Sequence, residues 1–122
     1  MIIRSLTIIT RVSISIFLLG AYGEVYIAKK RTSETRYAIK VMEKEHIQRK
    51  NILDEISAEK DIMGKIQSQF IVRLFYSLQS TNKIYFVMEF CIGGDLCSLL
   101  CEIGYFDEIT ALTYLAQVKQ LC

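Results

Sequence analysis

The chain contains no proline among its 122 residues. At the usual share of about 5% several would be expected, but strands and helices do not need them. Histidine is nearly absent as well, with His46 the single example. The four cysteines, Cys91, Cys97, Cys101 and Cys122, include no C-x-x-C pair, so with this one imidazole they do not show the ligand spacing of a zinc site. Such spacing points to reduced thiols and a cytoplasmic or nuclear setting, and Cys97 and Cys101, one helical turn apart, share a face. An excess of one charge is also lacking. Fifteen basic against thirteen acidic residues leave +2, and the basic residues are scattered singly, so nothing points to nucleic acid. What remains is 52% hydrophobic and 23% charged, the composition of one small globular domain.

No long hydrophobic run of membrane length is present either. Met1 to Gly20 is apolar, with Arg4 and Arg11 ahead of Ile16-Phe17-Leu18-Leu19, and loosely resembles a signal peptide. After Arg11 the run is too short and too serine-rich to span a bilayer, and its length alone argues against a membrane role. Val12, Ile14, Ile16 and Leu18 alternate with Ser13, Ser15 and Phe17, which predicts an edge strand over Val12–Leu19. Residues 1–11 receive no assignment, and a targeting segment or anchor rests on the first twenty residues alone.

Glu24 to Lys30 and Thr35–Glu43 read as the next two strands, with a polar turn between them. In the latter, Ala38, Lys40 and Met42 share one face, and Tyr37, Ile39 and Val41 share the other. Charged, helix-favouring residues follow from Lys44 to Lys50. Asn51–Ile66 predicts a helix, because Ile52, Ile56, Glu59, Met63 and Ile66 recur at spacings of 4, 3, 4 and 3. Ile71–Leu78 and Lys83–Phe90 predict two more strands around Ser80-Thr81-Asn82. Gly93-Gly94-Asp95 breaks the chain; Asp95 can cap a helix through Cys101, and Asp107 can cap a last one. The expected fold is α+β: a five-stranded antiparallel sheet with one helix packed on it, then short helices.

Two charges lie on apolar faces. Lys40 is flanked by Ala38 and Met42, and Glu59 sits among four apolar residues of its helical stripe. A buried ammonium requires a counter-charge. Glu59 could alternatively lie at the edge of its stripe and reach water. Pairing explains both residues at once and would hold the ammonium where phosphates can reach it. Gly20 and Gly23 flank Ala21-Tyr22 in a turn where backbone N–H groups could approach phosphate oxygens, although an ordinary hairpin turn has the same composition. Val25 and Ala38, small and apolar, could sandwich a flat base or serve only as sheet core. After Met88, the backbone of Glu89 and Cys91 could bond the edge of an adenine, and Asp95 could accept a ribose hydroxyl or cap its helix.

As an ordered set these residues resemble a serine/threonine protein kinase of the AGC group. Phe70-Ile71-Val72-Arg73-Leu74-Phe75-Tyr76-Ser77-Leu78-Gln79-Ser80, Val87-Met88-Glu89-Phe90, Ile92-Gly93-Gly94-Asp95, Ser98-Leu99-Leu100 and Gly104-Tyr105-Phe106-Asp107-Glu108 look most like the greatwall family, relatives of the microtubule-associated serine/threonine kinases. The resemblance covers roughly Leu19 to Val118. It implies a kinase N-terminal lobe (the five-stranded sheet and helix C) to about residue 92, then a hinge and the first large-lobe helices over 93–122. Within 12–122, Gly20 to Gly23 would cover the phosphates of ATP, Val25 and Ala38 would clasp the adenine, and Lys40, paired with Glu59, would hold the α- and β-phosphates. Met88 would be the gatekeeper, Glu89 to Cys91 the hinge and Asp95 the ribose contact. Met63 and Leu74 would supply the small-lobe half of the regulatory spine. Implied substrates are small phosphoproteins that inhibit protein phosphatase 2A.

Leu18 departs from the family pattern, standing at the first glycine of G-x-G-x-x-G, and Gln69 stands where proline is common. No His-Arg-Asp or Asp-Phe-Gly occurs, and Phe106-Asp107 has the wrong order. The catalytic base and both magnesium ligands are therefore missing from this sequence. Two readings follow: the ATP-binding portion of a kinase, inactive as this chain alone, or a non-catalytic lobe acting as an interaction module through Leu112, Leu115 and Val118.

Overall fold

The computed structural model describes residues 6–12, 23–94 and 96–120. Five strands form one antiparallel sheet in the order β1-β2-β3-β5-β4. They are β1 (Leu6–Val12), β2 (Glu24–Lys30), β3 (Arg36–Glu43), β4 (Leu74–Gln79) and β5 (Lys83–Glu89). Between β3 and β4 lie α1 (Lys44–Lys50) and α2 (Leu53–Lys65), and after β5 come α3 (Leu96–Ile103) and α4 (Glu108–Lys119). The fold class is therefore the one expected, an α+β sheet-and-helix lobe with trailing helices.

The edge strand differs from expectation. It occupies Leu6–Val12 and shares only Val12 with the predicted Val12–Leu19, whose other residues lie outside the described ones. Thr7, Ile8, Ile9, Thr10 and Val12 are β-branched, which suits a pleated edge. The register slips between Ile8 and Thr10. Such a bulge interrupts simple alternation, so the period-two signal passes over this segment.

Period two holds elsewhere. In β3, Ile39 is buried on one face and Met42 on the other. Met42 joins Ile47, Ile52, Ile56 and Phe86 in the cluster beneath α2, with Met63, Leu74, Ile84 and Met88 packed around it. Ala28, Ile39 and Val87 form a second cluster on the opposite face, flanked by Tyr37, Val41, Leu78 and Tyr85. Full burial of an isoleucine contributes roughly 1.5–3 kcal/mol. Ile52 and Ile56, 6% and 4% exposed, therefore decide which side of α2 meets the sheet. Ile66, expected on that stripe, is 49% exposed, because it is the extended C-cap of α2 and has left the helical path.

α1 and α2 are separate helices. Asn51 ends α1 in the left-handed region at φ 52°, its N–H donating to the carbonyls of Gln48 and Ile47. The β4–β5 hairpin closes with the Ser80 N–H donating to the Lys83 carbonyl at 2.8 Å, and the Lys83 N–H donating to Ser80 Oγ at 3.1 Å. At α4, the Asp107 carboxylate accepts from the Thr110 N–H at 2.7 Å, the expected N-cap. On α4, Leu112, Leu115 and Val118 are all exposed.

Candidate functional site

The register of the sheet gathers the candidate residues. Val25 stands opposite Lys40, and Ala38 stands opposite both Ile27 on β2 and Met88 on β5. Directly opposed residues project to the same side. Val25, Ala38, Lys40 and Met88 therefore share one face of three adjacent strands, the face that α2 covers.

Lys40 Nζ donates to both carboxylate oxygens of Glu59, at 2.9 Å each. The two side chains are unequally shielded, Lys40 12% and Glu59 37% exposed. The pair therefore sits at the margin of the core, with the acid reaching water while it holds the ammonium. A pair this wet is worth little to stability, about 0–1 kcal/mol. Its value lies in position: two of three ammonium donors are spent on Glu59, and one is left for an outside oxygen. The pairs Lys29–Glu34, Arg49–Glu45 and Lys65–Asp61, by contrast, each lie within one element or its adjoining turn.

Gly23 opens β2 where space is tight. A Cβ there would lie 2.3 Å from the Val41 carbonyl oxygen and 2.9 Å from Met42 Cγ. This glycine is thus required by strand packing, a role that spacing in the sequence does not disclose. Leu18, Gly20, Ala21, Tyr22 and Asp95 lie outside the described residues.

Beyond Met88, the Glu89 N–H donates to the Arg73 carbonyl at 2.9 Å, and Glu89 Oε2 accepts from the Arg73 N–H at 3.3 Å. The next turn closes through the Gly94 N–H and the Cys91 carbonyl at 3.1 Å, with Gly94 at φ +73°, a conformation that favours glycine. Partial burial pushes the Cys91 thiol upward, and the negative Glu89 nearby adds to the effect. Met63 and Leu74 pack against the same cluster, around Phe86. Sequence reasoning missed the Glu89 side chain, Arg73, and a hollow of about 240 Å³ between α2 and β4–β5. That hollow is lined by Leu53, Ile56, Lys60, Ser77, Gln79 and Phe86 among others, and by none of Val25, Ala38 or Lys40.

A sheet lysine held by a helix acid, with small apolar residues on the same face and a strand running out into a glycine turn, is the arrangement of a protein-kinase small lobe. The protein kinase domain family matches residues 19–120, and the chain belongs to that family. Over 99 residues, 81% of this chain, it is 48% identical to the serine/threonine-protein kinase greatwall of Danio rerio. It is 46% identical over the same share to the greatwall kinase of Homo sapiens. A probable serine/threonine-protein kinase of Dictyostelium discoideum is 46% identical over 80% of the chain. The match spans only 12%, 11% and 5% of those relatives' own lengths. Kinases of this family use ATP, typically with magnesium, and phosphorylate protein substrates. Among the described residues no helix is long and apolar enough to cross a membrane.

Proposed function

We propose that this chain is the ATP-holding part of a greatwall-like serine/threonine protein kinase, with the small lobe running to about residue 92 and the hinge and first large-lobe helices following. The observation that carries this is the Lys40–Glu59 pair on the face shared with Val25, Ala38 and Met88. Lys40 offers its remaining donor to the α- and β-phosphates, while Val25 and Ala38 clasp the adenine beneath Met88. The backbone of Glu89 and Cys91 bonds the purine edge. Leu18, Gly20, Ala21, Tyr22 and Gly23 cover the phosphates, and Asp95 takes the ribose. ATP supplies the transferable phosphoryl group; this chain's residues bind and orient it.

Magnesium fits less well. Its family ligands belong to an Asp-Phe-Gly and a catalytic-loop asparagine. This sequence has no Asp-Phe-Gly, and among the described residues no three His, Cys, Asp or Glu side chains converge to hold a metal. For the whole kinase, small protein inhibitors of protein phosphatase 2A are the substrates that the greatwall likeness suggests, acting in the cytoplasm or nucleus. A purely binding role is not favoured, since the family and the relatives matched are kinases.

The test is titration of the chain with a fluorescent ADP. Binding that falls about tenfold or more in Lys40→Ala supports the proposal. Equal binding by both proteins overturns it. With labelled ATP and a serine substrate, the 122-residue chain itself is expected to transfer no phosphate.

A further inference from the structure

We propose that the Glu89 side chain is a positioning residue for adenine recognition, acting through a clamp on the backbone of Arg73. This rests on the nucleotide reading above and assigns the carboxylate a task separate from that of the Glu89 backbone.

Where strands are paired by backbone alone, two opposed residues exchange both N–H and C=O bonds. Glu89 and Arg73 do so only by half. The Glu89 N–H donates to the Arg73 carbonyl at 2.9 Å. The Arg73 N–H does not return to a Glu89 carbonyl; it goes to Glu89 Oε2 at 3.3 Å. The side chain thus takes the place of one ladder bond and spares the Glu89 carbonyl from its β4 neighbour. That carbonyl remains an acceptor at the position where an exocyclic amine is expected.

A ring of contacts holds the clamp. The Arg73 guanidinium lies over the Phe75 ring, 5.2 Å from its centroid. Phe75 meets Tyr37 edge-on, with centroids 5.5 Å apart at 87°. Tyr37 is the cross-strand partner of Glu89, which closes the circuit. The register slip between Leu74 and Tyr76 leaves Phe75 outside the ladder pairing, where it meets Tyr37. On the far side, the turn from Cys91 to Gly94 fixes the exit. Phe90 and Cys91 are thereby tied down at both ends.

The experiment compares the full chain with Glu89→Ala and Glu89→Gln, since the glutamine carbonyl still accepts a hydrogen bond. Amide exchange at Arg73, read by NMR, reports the clamp directly. Titrations with ADP, GDP and inorganic tripolyphosphate report what the clamp is for. In Glu89→Ala the Arg73 amide is expected to exchange faster by about threefold to tenfold, the worth of one hydrogen bond. ADP affinity is expected to fall by a similar factor, the preference for ADP over GDP to shrink, and tripolyphosphate binding to hold. Glu89→Gln is expected to recover most of each effect. Unchanged Arg73 exchange in Glu89→Ala, or equal losses for all three ligands, overturns the proposal. A wild-type chain that binds neither ADP nor tripolyphosphate overturns the nucleotide reading and the adenine half of this one, leaving the exchange rate to decide the clamp.

Discussion

The Val41 carbonyl oxygen stands 2.3 Å from where a Cβ on residue 23 would be, so Gly23 and Val41 meet at a distance that only glycine permits. The third strand must move if that space is filled. Gly23→Ala is expected to lower stability by about 1–3 kcal/mol, the cost of overpacking. Gly93→Ala, with nothing within 4 Å of its Cβ position, serves as the control and is expected to stay within about 0.5 kcal/mol. Denaturant midpoints for the two variants check this, and coincident midpoints would sink it.

Stability and binding should separate at the Lys40–Glu59 pair. With Glu59 37% exposed, solvent screens the attraction, so Lys40→Met and Glu59→Gln should each cost less than about 1 kcal/mol. Both should weaken ADP binding by about tenfold. Thermal melts beside ligand titrations provide the check. A collapse of the fold in either variant would make the pair a structural prop and remove the binding argument.

These two positions differ in how legible they were. Lys40 and Glu59 announced themselves because each broke an apolar pattern at a known period, two for the strand and 3.6 for the helix. Two faults of opposite sign suggested one remedy. The face shared by Val25, Ala38 and Met88 also followed, once alternation located the strands. Gly23's contact with Val41 depends on register, which no local pattern reveals. For the same reason the Arg73–Phe75–Tyr37 stack went unseen. The Leu6–Arg11 part of β1 is not legible because a bulge hides alternation, and Ile66 leaves its expected face because it lies one residue beyond the helix.

Acid should weaken the start of α4. The Thr110 N–H, donated to Asp107, holds that carboxyl below its ordinary value. A depressed folded value means that the cap's contribution is complete above the unfolded pKa, about 3.9. It drains away as pH falls through the lower folded value. The Thr110 amide shift, followed by NMR from pH 6 downward, should titrate with an inflection below that of a free aspartate. Asp107→Asn should abolish the inflection. An inflection at or above the free value would contradict the sign.

Cys91 should be a sluggish nucleophile. Desolvation first, and then the charge of Glu89, raise its pKa, so little thiolate exists at neutral pH. Its alkylation rate by iodoacetamide, followed by mass spectrometry across pH, should rise only above the usual cysteine range. Glu89→Gln should move that rise toward lower pH. A rate already on its plateau at pH 7 would refute this.

The ammonium and its acid are separated by only 19 positions along the chain. The cost of closing a loop grows slowly with its length, and contacts between near neighbours form early. The end of β3, the helix α1, one left-handed elbow at Asn51 and the first two turns of α2 thus suffice to bring the opposite charges into register. The clasp is thus built within a single short stretch of polypeptide, while the core that seats its helix also draws Phe86 from a strand further along.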